Sequence, residues 1–427
     1  MDAQVPKIRL CLASPSFFPT YGGAQLRFLR YMPGLRERGI ETRVVTGTPT
    51  VNEAAGSQVQ EDWLSQRPGH VFPMEEINGT PVHRVRLPDS KGWRRMILFN
   101  QALLRCCRRP ETRPDVVQLV TNLLPRAIPW LLRLRIMGIP SVYAVTLAPT
   151  QGSKRPLKRH LRRANLRGLY NQLDCIIANN TPLRDMVREL GVRTRIEVIP
   201  NGVDLQRFHP AGDRQQRHAI RRSLGIGGSD PVICTVGAVN PRKGGDMLLE
   251  AWGRLVARFP RSHVLFVGPQ THLEHPKLDR FRRRIEDLTH NSGAAERVHF
   301  TGTVADVEAY LRASDVFVLP TEREGLPNSV LEAMATSLPV VITPFIGLSA
   351  DLGVADRHYL LSDPNAEALA THMERLLEDR NYRIELGRRG RCWVEETMDV
   401  RRSLDRYAAL YRELAEGSPA WHRNALH

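Results

Sequence analysis

The sequence lacks any apolar run able to cross a bilayer. Its most apolar stretch, residues 127–147, is broken by Arg133 and Arg135 and punctuated by proline. A membrane, if met, is met from the side. No secretory leader is expected, because Lys7 and Arg9 flank a short strand-like run with no small-residue cleavage site behind it. The six cysteines form no framework: Cys11, Cys175 and Cys234 sit inside apolar runs, and Cys106 and Cys107 are adjacent. That spacing excludes a disulfide scaffold or a metal-spaced cluster and fits a reducing cytosol. Lysine is scarce, six of the 61 basic residues. An internal repeat, a low-complexity tract and an Asp-x-Asp metal motif are all absent, so solenoids and disordered chains drop out.

What remains is a globular chain of 427 residues, 42% hydrophobic and 25% charged, with mean hydropathy −0.32. Its length suits three domains of about 150 residues or two larger α/β domains. The net charge of +16 is unevenly placed. Residues 1–200 carry 31 basic and 15 acidic side chains, whereas residues 201–427 carry 30 of each. The excess in the first half implies an anionic partner there.

Short runs rich in Val, Ile and Leu alternate with longer stretches that are apolar at spacings of three and four. In the first half the strand-like runs are 8–13, 41–46, 116–120, 141–145 and 175–178, with helical patterns at 25–38, 93–104 and 181–190. After a turn at Asn201-Gly202-Val203-Asp204 the alternation resumes. Strands are predicted at 232–236, 264–267, 298–301, 316–319 and 340–343, and helices at 244–258, 277–288, 306–313 and 328–336. Such alternation predicts βαβ units and parallel sheets, with ligands at the carboxyl ends of the strands. Two such units would leave a cleft between them. The last residues, 417–427, read as a frayed tail in which Trp421 is the one sizeable apolar side chain.

The segment 320–341, PTEREGLPNSVLEAMATSLPVV, carries the strongest chemical signal. A strand ends at Leu319, and a loop then delivers Glu324, Gly325, Leu326 and Pro327 before a helix for which Asn328 is the expected N-cap. Glycine lets the backbone approach a ligand closely. The first free amides of the helix, near Ser329 and Val330, make an anion site suited to a diphosphate. Glu324 and Glu332 lie on either side of it, and carboxylates accept hydrogen bonds from sugar and ribose hydroxyls.

This segment resembles the Glu-x7-Glu signature of the retaining GT-B glycosyltransferases, in particular glycosyltransferase family 4 (glycosyl transferases group 1). Residues 198–210 (VIPNGVDLQRFHP) resemble its interdomain segment, 236–245 (VGAVNPRKGG) its phosphate loop, and 299–320 its base-side loop and the strand beyond. Gly22-Gly23 resembles its N-terminal glycine loop. The resemblance spans residues 8 to 415, most strongly in the second half.

It implies an α/β chain of the GT-B fold, two Rossmann-like parallel-sheet domains facing across a cleft. Residues 1–200 would form the basic, acceptor-side domain, and 201–395 would bind a nucleotide-diphosphate sugar as co-substrate. Residues 396–427 would supply a helix packing back across the junction, plus a tail. The resemblance further implies that Glu324 holds the donor sugar, Lys243 meets the diphosphate, and Glu332 holds the ribose diol. Gly325, Leu326, Asn328 and Ser329 would line the donor, and Gly22 and Gly23 would present amides to the diphosphate or acceptor. The family's reaction retains anomeric configuration and is generally metal-independent, so no metal or other cofactor is expected. Three departures stand out: Ala238 where relatives carry Arg, which Arg242 would replace; no His in 144–147 (AVTL); and Gln25 where an acid is frequent.

A second feature is 154–167, KRPLKRHLRRANLR, with seven basic residues and no acid. Lys154, Arg155, Lys158, Arg159, Arg162 and Arg163 form a basic face beside Leu157, Leu161 and Ala164. Trp93, Met96, Ile97 and Phe99 flank Arg94 and Arg95 in another helix. Such helices lie on anionic leaflets or pack on their own domain. No nucleic-acid recognition module accompanies the charge. The expected protein is a cytoplasmic glycosyltransferase, peripheral at the inner membrane face, acting on a lipid-linked, polysaccharide or other glycan acceptor. The alternative is a catalytically weak GT-B subunit that binds nucleotide sugar or scaffolds a partner transferase.

Overall fold

In the computed structural model the described residues are 7–18, 23–49, 63, 65–89, 92–120, 127–147, 156–210, 212, 214–270 and 276–417. Gly22, Lys154, Arg155 and Trp421 lie outside them. The chain divides into two compact units, Met1–Ile199 with Arg401–His427, and Pro200–Val400.

The first unit is built on β1 (Ile8–Ser14), β2 (Ile40–Gly47), β3 (Glu75–Ile77), β4 (Thr80–Val85), β5 (Val116–Leu119), β6 (Ser141–Val145), β7 (Cys175–Ala178) and β8 (Arg195–Val198). They form one sheet in the order β3-β4-β2-β1-β5-β6-β7-β8, parallel except for β3 against β4. The central strands are short Val/Ile/Leu-rich runs because helices cover both faces, leaving no solvated side to alternate with. The β3–β4 hairpin is an addition to the sequence expectation. Its signal was Asn78-Gly79, both with positive φ (50° and 71°), the dipeptide that a tight hairpin turn favours.

One face of this sheet packs under the helices Trp93–Arg108, Ile128–Ile136, Pro156–Tyr170 and Thr181–Arg188, around Leu103, Leu134, Leu169 and Leu183. The other face takes Gly23–Glu37 and the C-terminal helix Val400–Glu416. In that helix Leu404, Tyr407, Ala408 and Tyr411 recur at spacings of three and four and are all buried. Tyr407 meets Phe28 and Tyr31 edge-on at 6.0 and 5.9 Å. Tyr411 Oη donates to the buried Gln118 Oε1 on β5 at 3.2 Å. The C-terminal helix is therefore part of the first unit's core. Its charges make that unit more basic still, with 36 basic and 18 acidic residues against 25 and 27 in the second.

The second unit is built on β9 (Val232–Val236), β10 (His263–Val267), β11 (Val298–Phe300), β12 (Val316–Leu319), β13 (Val340–Ile342) and β14 (Leu360–Leu361). All are parallel, in the order β11-β10-β9-β12-β13-β14. The predicted helix 244–258 is shorter than expected. A 3-10 turn, Pro241–Lys243, precedes Gly245–Gly253, and a run of turns follows. All six cysteines are free, five of them buried.

His263 and His299, at the start of β10 and in β11, stack with centroids 5.2 Å apart and nitrogens 2.9 Å apart. Burial and the His299 ring push His263 down to about 4, with Arg297 and Arg221 adding to the effect and Asp230 opposing it. A histidine held neutral in the fold binds fewer protons than in the unfolded chain, whose value is about 6.5. Its contribution is complete above that value and is lost as pH falls towards 4. We expect the second unit to lose up to about 3 kcal/mol between pH 6.5 and 4 through this group. The measurement is urea unfolding against pH; a His263→Gln variant should show a flatter profile across that window.

Candidate active site

The carboxyl ends of β9 and β12 deliver two loops to one place. After β9, Asn240 caps the 3-10 turn by accepting from the Lys243 amide at 3.3 Å, so Arg242 and Lys243 project together. Gly244 follows with φ 68°, and a Cβ there would collide with the Pro320 carbonyl. That is why glycine closes this turn against the β12 loop.

Glu324 is the meeting point. Its Oε1 accepts from Lys243 Nζ at 2.7 Å and from Arg242 Nη1 at 2.5 Å, with Thr321 Oγ1 at 3.3 Å. The same guanidinium donates to Arg323 O at 2.7 Å, and Thr321 Oγ1 donates to Arg242 O at 2.9 Å. Glu324 is 8% exposed. Burial acts to raise its pKa, but the charges of Lys243 and Arg242, and their hydrogen bonds, outweigh it and hold the carboxyl below its ordinary value. The site at neutral pH is two cations around one carboxylate.

The loop after β13 buttresses this arrangement from below. Glu324 N donates to Ile346 O at 3.1 Å and Ile346 N to Glu322 O at 3.0 Å, a short parallel bridge. Gly347, φ 106°, leaves no room for a side chain against Glu324 O. This loop was missed by the sequence reading, because nothing in its composition marks it as a support.

The helix Asn328–Ala335 begins one residue earlier than the capping expectation. Pro327 occupies the N-cap position with no side-chain cap, and Asn328 is the first helical residue. Pro327 O accepts from the amides of Val330 (3.1 Å) and Leu331 (3.3 Å), so among the described residues the helix's open donors are Asn328 and Ser329 rather than Ser329 and Val330. Proline serves here because its fixed φ starts the helix while its missing N–H costs nothing. Gly325 and Leu326 are buried in the approach to the helix, Ser329 is buried and Asn328 half-buried. Glu332, 7% exposed, lies one turn into the helix.

In the first unit, Gly23 opens the helix Gly23–Glu37. Two arginines, Arg84, which the sequence reading passed over, and Arg95, which it read only as part of a basic helix, hold the segment before it. Arg84 Nη2 donates to Phe18 O at 2.6 Å while its Nε pairs with Glu75 at 2.5 Å, and the guanidinium lies over Trp63. Arg95 Nη2 donates to Pro15 O at 3.3 Å. In the helix Pro156–Tyr170, Lys158, Arg162 and Arg163 are exposed, and Leu157 and Leu161 are 70% and 54% exposed. The side chain of Arg159 lies outside the described set. Trp93 is 54% exposed beneath the Arg94 guanidinium. The helix's apolar face is therefore packed only towards its end, at Leu169. Among the described residues, no helix is long and apolar enough to cross a membrane, and no three His, Cys, Asp or Glu side chains are grouped to hold a metal.

Comparison with known proteins bears on the family and the fold. The family described as Glycosyltransferase Family 4 matches residues 21–207, and the one described as Glycosyl transferases group 1 matches residues 230–379. A D-inositol 3-phosphate glycosyltransferase of Rhodococcus jostii is 31% identical over 375 residues, 84% of this chain and 77% of that protein. The lipopolysaccharide core biosynthesis glycosyltransferase LpsE of Rhizobium meliloti is 28% identical over 250 residues, 58% of this chain and 66% of that one. Other curated relatives are matched over about half of their length, 43% and 45%. The solved sucrose-phosphate synthase of Thermosynechococcus elongatus superposes with TM-score 0.75 at 21% identity, over 96% of this chain and all of that one. Two parallel-sheet α/β units of this kind are the GT-B architecture, and with the match to the Rhodococcus protein they place the chain in glycosyltransferase family 4.

Proposed function

We propose that the chain transfers a sugar, with retention of anomeric configuration, from a nucleotide-diphosphate sugar to a glycan or lipid-linked acceptor at the cytoplasmic membrane face. The observation that carries the reading is the convergence of Lys243, Arg242 and Glu324 beside the open amides of Asn328 and Ser329. Negative charge grows on the leaving diphosphate as the sugar departs. The ammonium, the guanidinium and the helix N-terminus are fixed positive groups for that charge, so the reading requires no metal. Positive charge grows at the same time on the sugar, which is the charge an ionised Glu324 stabilises. Glu332, farther along the helix, is assigned to the ribose diol, and Gly325 to close approach of the sugar.

The acceptor side rests on the first unit. Its large positive excess, the exposed Leu157, Leu161 and Trp93, and the arginines around them fit docking on an anionic leaflet. The LpsE relative, named for lipopolysaccharide core biosynthesis, supports an envelope glycan as the acceptor class.

Incubation of the purified chain with UDP-, GDP- and ADP-sugars and candidate acceptors tests the reading through nucleotide release. Turnover with one donor is expected. Donor binding without turnover across the acceptors would favour a nucleotide-sugar-binding subunit, the reading to which Ala238 gives some support. For the membrane part, sedimentation should show stronger binding to anionic than to neutral vesicles, weakening as salt rises; equal binding to both would remove the electrostatic case.

A further inference from the structure

Three cysteines of the first unit cluster against β1. Cys11 lies in that strand, sealed from solvent, opposite Arg43 of β2. Cys106 and Cys107 sit in the last turn of the helix Trp93–Arg108, and all three belong to one apolar core. The Cys11 and Cys106 side chains are hydrogen-bonded to each other. Thr112 holds the helix end in place: its Oγ1 donates to Cys106 O at 2.6 Å, and its carbonyl accepts from Cys106 Sγ at 3.5 Å. Near the start of the same helix, Arg95 donates to Pro15 O, just beyond β1. The helix is therefore tied to this strand at both ends, at one of them by a pair of thiols.

The two thiols differ in their surroundings. Cys106 is 8% exposed and Cys11 is not exposed at all, so a small molecule meets Cys106 first. The hydrogen bond from Cys11 pulls Cys106 below the ordinary thiol range; burial opposes this, and Thr112, Arg43 and Arg109 add to it. The same contact, together with burial, pushes Cys11 well up, so it keeps its proton. Burial also pushes Cys107 up, with Cys106 adding to the effect and Arg113 opposing it. His83, 2.7 Å from Arg43, is shifted towards its neutral form by burial and by the charges of Arg43 and Arg109.

We propose that Cys106 and Cys11 are a modification site for hydroperoxides, with Cys106 the attacking sulfur and Cys11 the resolving one, closing a disulfide between the helix Trp93–Arg108 and β1. Cys106, as thiolate, attacks one oxygen of hydrogen peroxide. The O–O bond breaks, Cys106 becomes a sulfenic acid, and the departing hydroxide takes up the proton that the thiol released, leaving as water. Cys11 sulfur then attacks Cys106 sulfur, the S–O bond breaks, and the second hydroxide leaves as water with the Cys11 proton. Two thiols and one peroxide give one disulfide and two waters, with two electrons passing from sulfur to oxygen. A small dithiol reverses the bond by exchange. In a reducing compartment such a bond is transient, which is consistent with six cysteines that are free at rest.

The test is brief treatment of the full, reduced chain with hydrogen peroxide at pH 7, then blocking of the remaining thiols and peptide mapping without reductant. A linked Cys11–Cys106 peptide that dithiothreitol separates is expected. Cys392, the cysteine that is not buried, is the internal comparison. Cys106 should be oxidised about fivefold faster, because each unit of lowered pKa gives roughly tenfold more thiolate, partly offset by weaker nucleophilicity. Raising the pH towards 9 should narrow the gap. Oxidation of Cys392 first or at the same rate overturns the proposal, as does a Cys106–Cys107 link or passage of Cys106 to sulfinic acid without any link. Cys11→Ala should leave Cys106 as a sulfenic acid that dimedone captures, and should move its oxidation to the pH dependence of an ordinary thiol; an unchanged pH dependence counts against the pair. Cys106→Ser should abolish the link. Should Cys11→Ala fail to fold, the wild-type map and its pH dependence decide by themselves.

Discussion

Glu324→Gln is expected to lower turnover about 10²–10³-fold, the range for losing one preorganised electrostatic group at a reacting centre, while nucleotide affinity holds or rises. The two halves of this result have different causes. Glutamine keeps the shape and its oxygen still accepts from Lys243 or Arg242, so the loop around Thr321 and Ile346 retains its backbone bonds. What is lost is the negative charge that the proposed function places against the sugar. At the same time the cluster changes from two cations around one carboxylate to two cations around a neutral amide, which attracts a diphosphate more strongly. Single-turnover kinetics and calorimetric nucleotide titration separate the two. Near wild-type turnover would refute the assignment of Glu324. Loss of both turnover and nucleotide binding would point to a collapsed loop instead.

Lys243→Ala should act in the opposite sense on binding. Its ammonium is a compact point charge 2.7 Å from Glu324 Oε1, and its removal leaves Arg242 as the single cation on that carboxylate. The cluster then becomes electroneutral, so nucleotide binding weakens and turnover falls by about 10²-fold or more. Lys243→Arg is the informative control. A guanidinium restores the charge but has a planar fork where the 3-10 turn presents a flexible stem, so partial recovery of binding with poor turnover is expected. Unchanged nucleotide affinity in Lys243→Ala would count against its place at the diphosphate. Together the two variants form a charge test: one removes a negative group and the other a positive one from the same oxygen contact.

Several elements were legible in the chain because their causes are local. Residues 116–119 and 316–319 read as strands because both faces are covered, and the resulting Val/Leu/Phe runs need no long-range information. Glu324 and Lys243 were singled out through the family resemblance, and the helix near Asn328 through its local pattern. Other features were hidden for physical reasons. The β3–β4 hairpin was passed over although Asn78-Gly79 announces it, since the flanking runs are short and one contains proline. Arg84 and Arg95 act on the carbonyls of Phe18 and Pro15, and a bond to a backbone oxygen leaves no trace in the partner's side-chain identity. Asn328 was assigned as a cap because its type fits one; its partner, Asn201, lies 127 residues away.

By itself the sequence determined the class of fold, the two α/β halves, the family resemblance and the imbalance of charge. Each follows from composition, periodicity or a contiguous motif. Only the tertiary structure decided that Lys243, Arg242 and Glu324 share one carboxylate oxygen, and that Pro327 rather than Asn328 begins the helix. It also placed the helix Val400–Glu416 in the core of the first unit, raising that unit's positive excess. The reason is the same in each case. A charge, a cap or an apolar stripe is written locally, but which partner satisfies it depends on how distant segments are brought together, and the lowest free energy assigns each buried polar group a partner that spacing alone does not name.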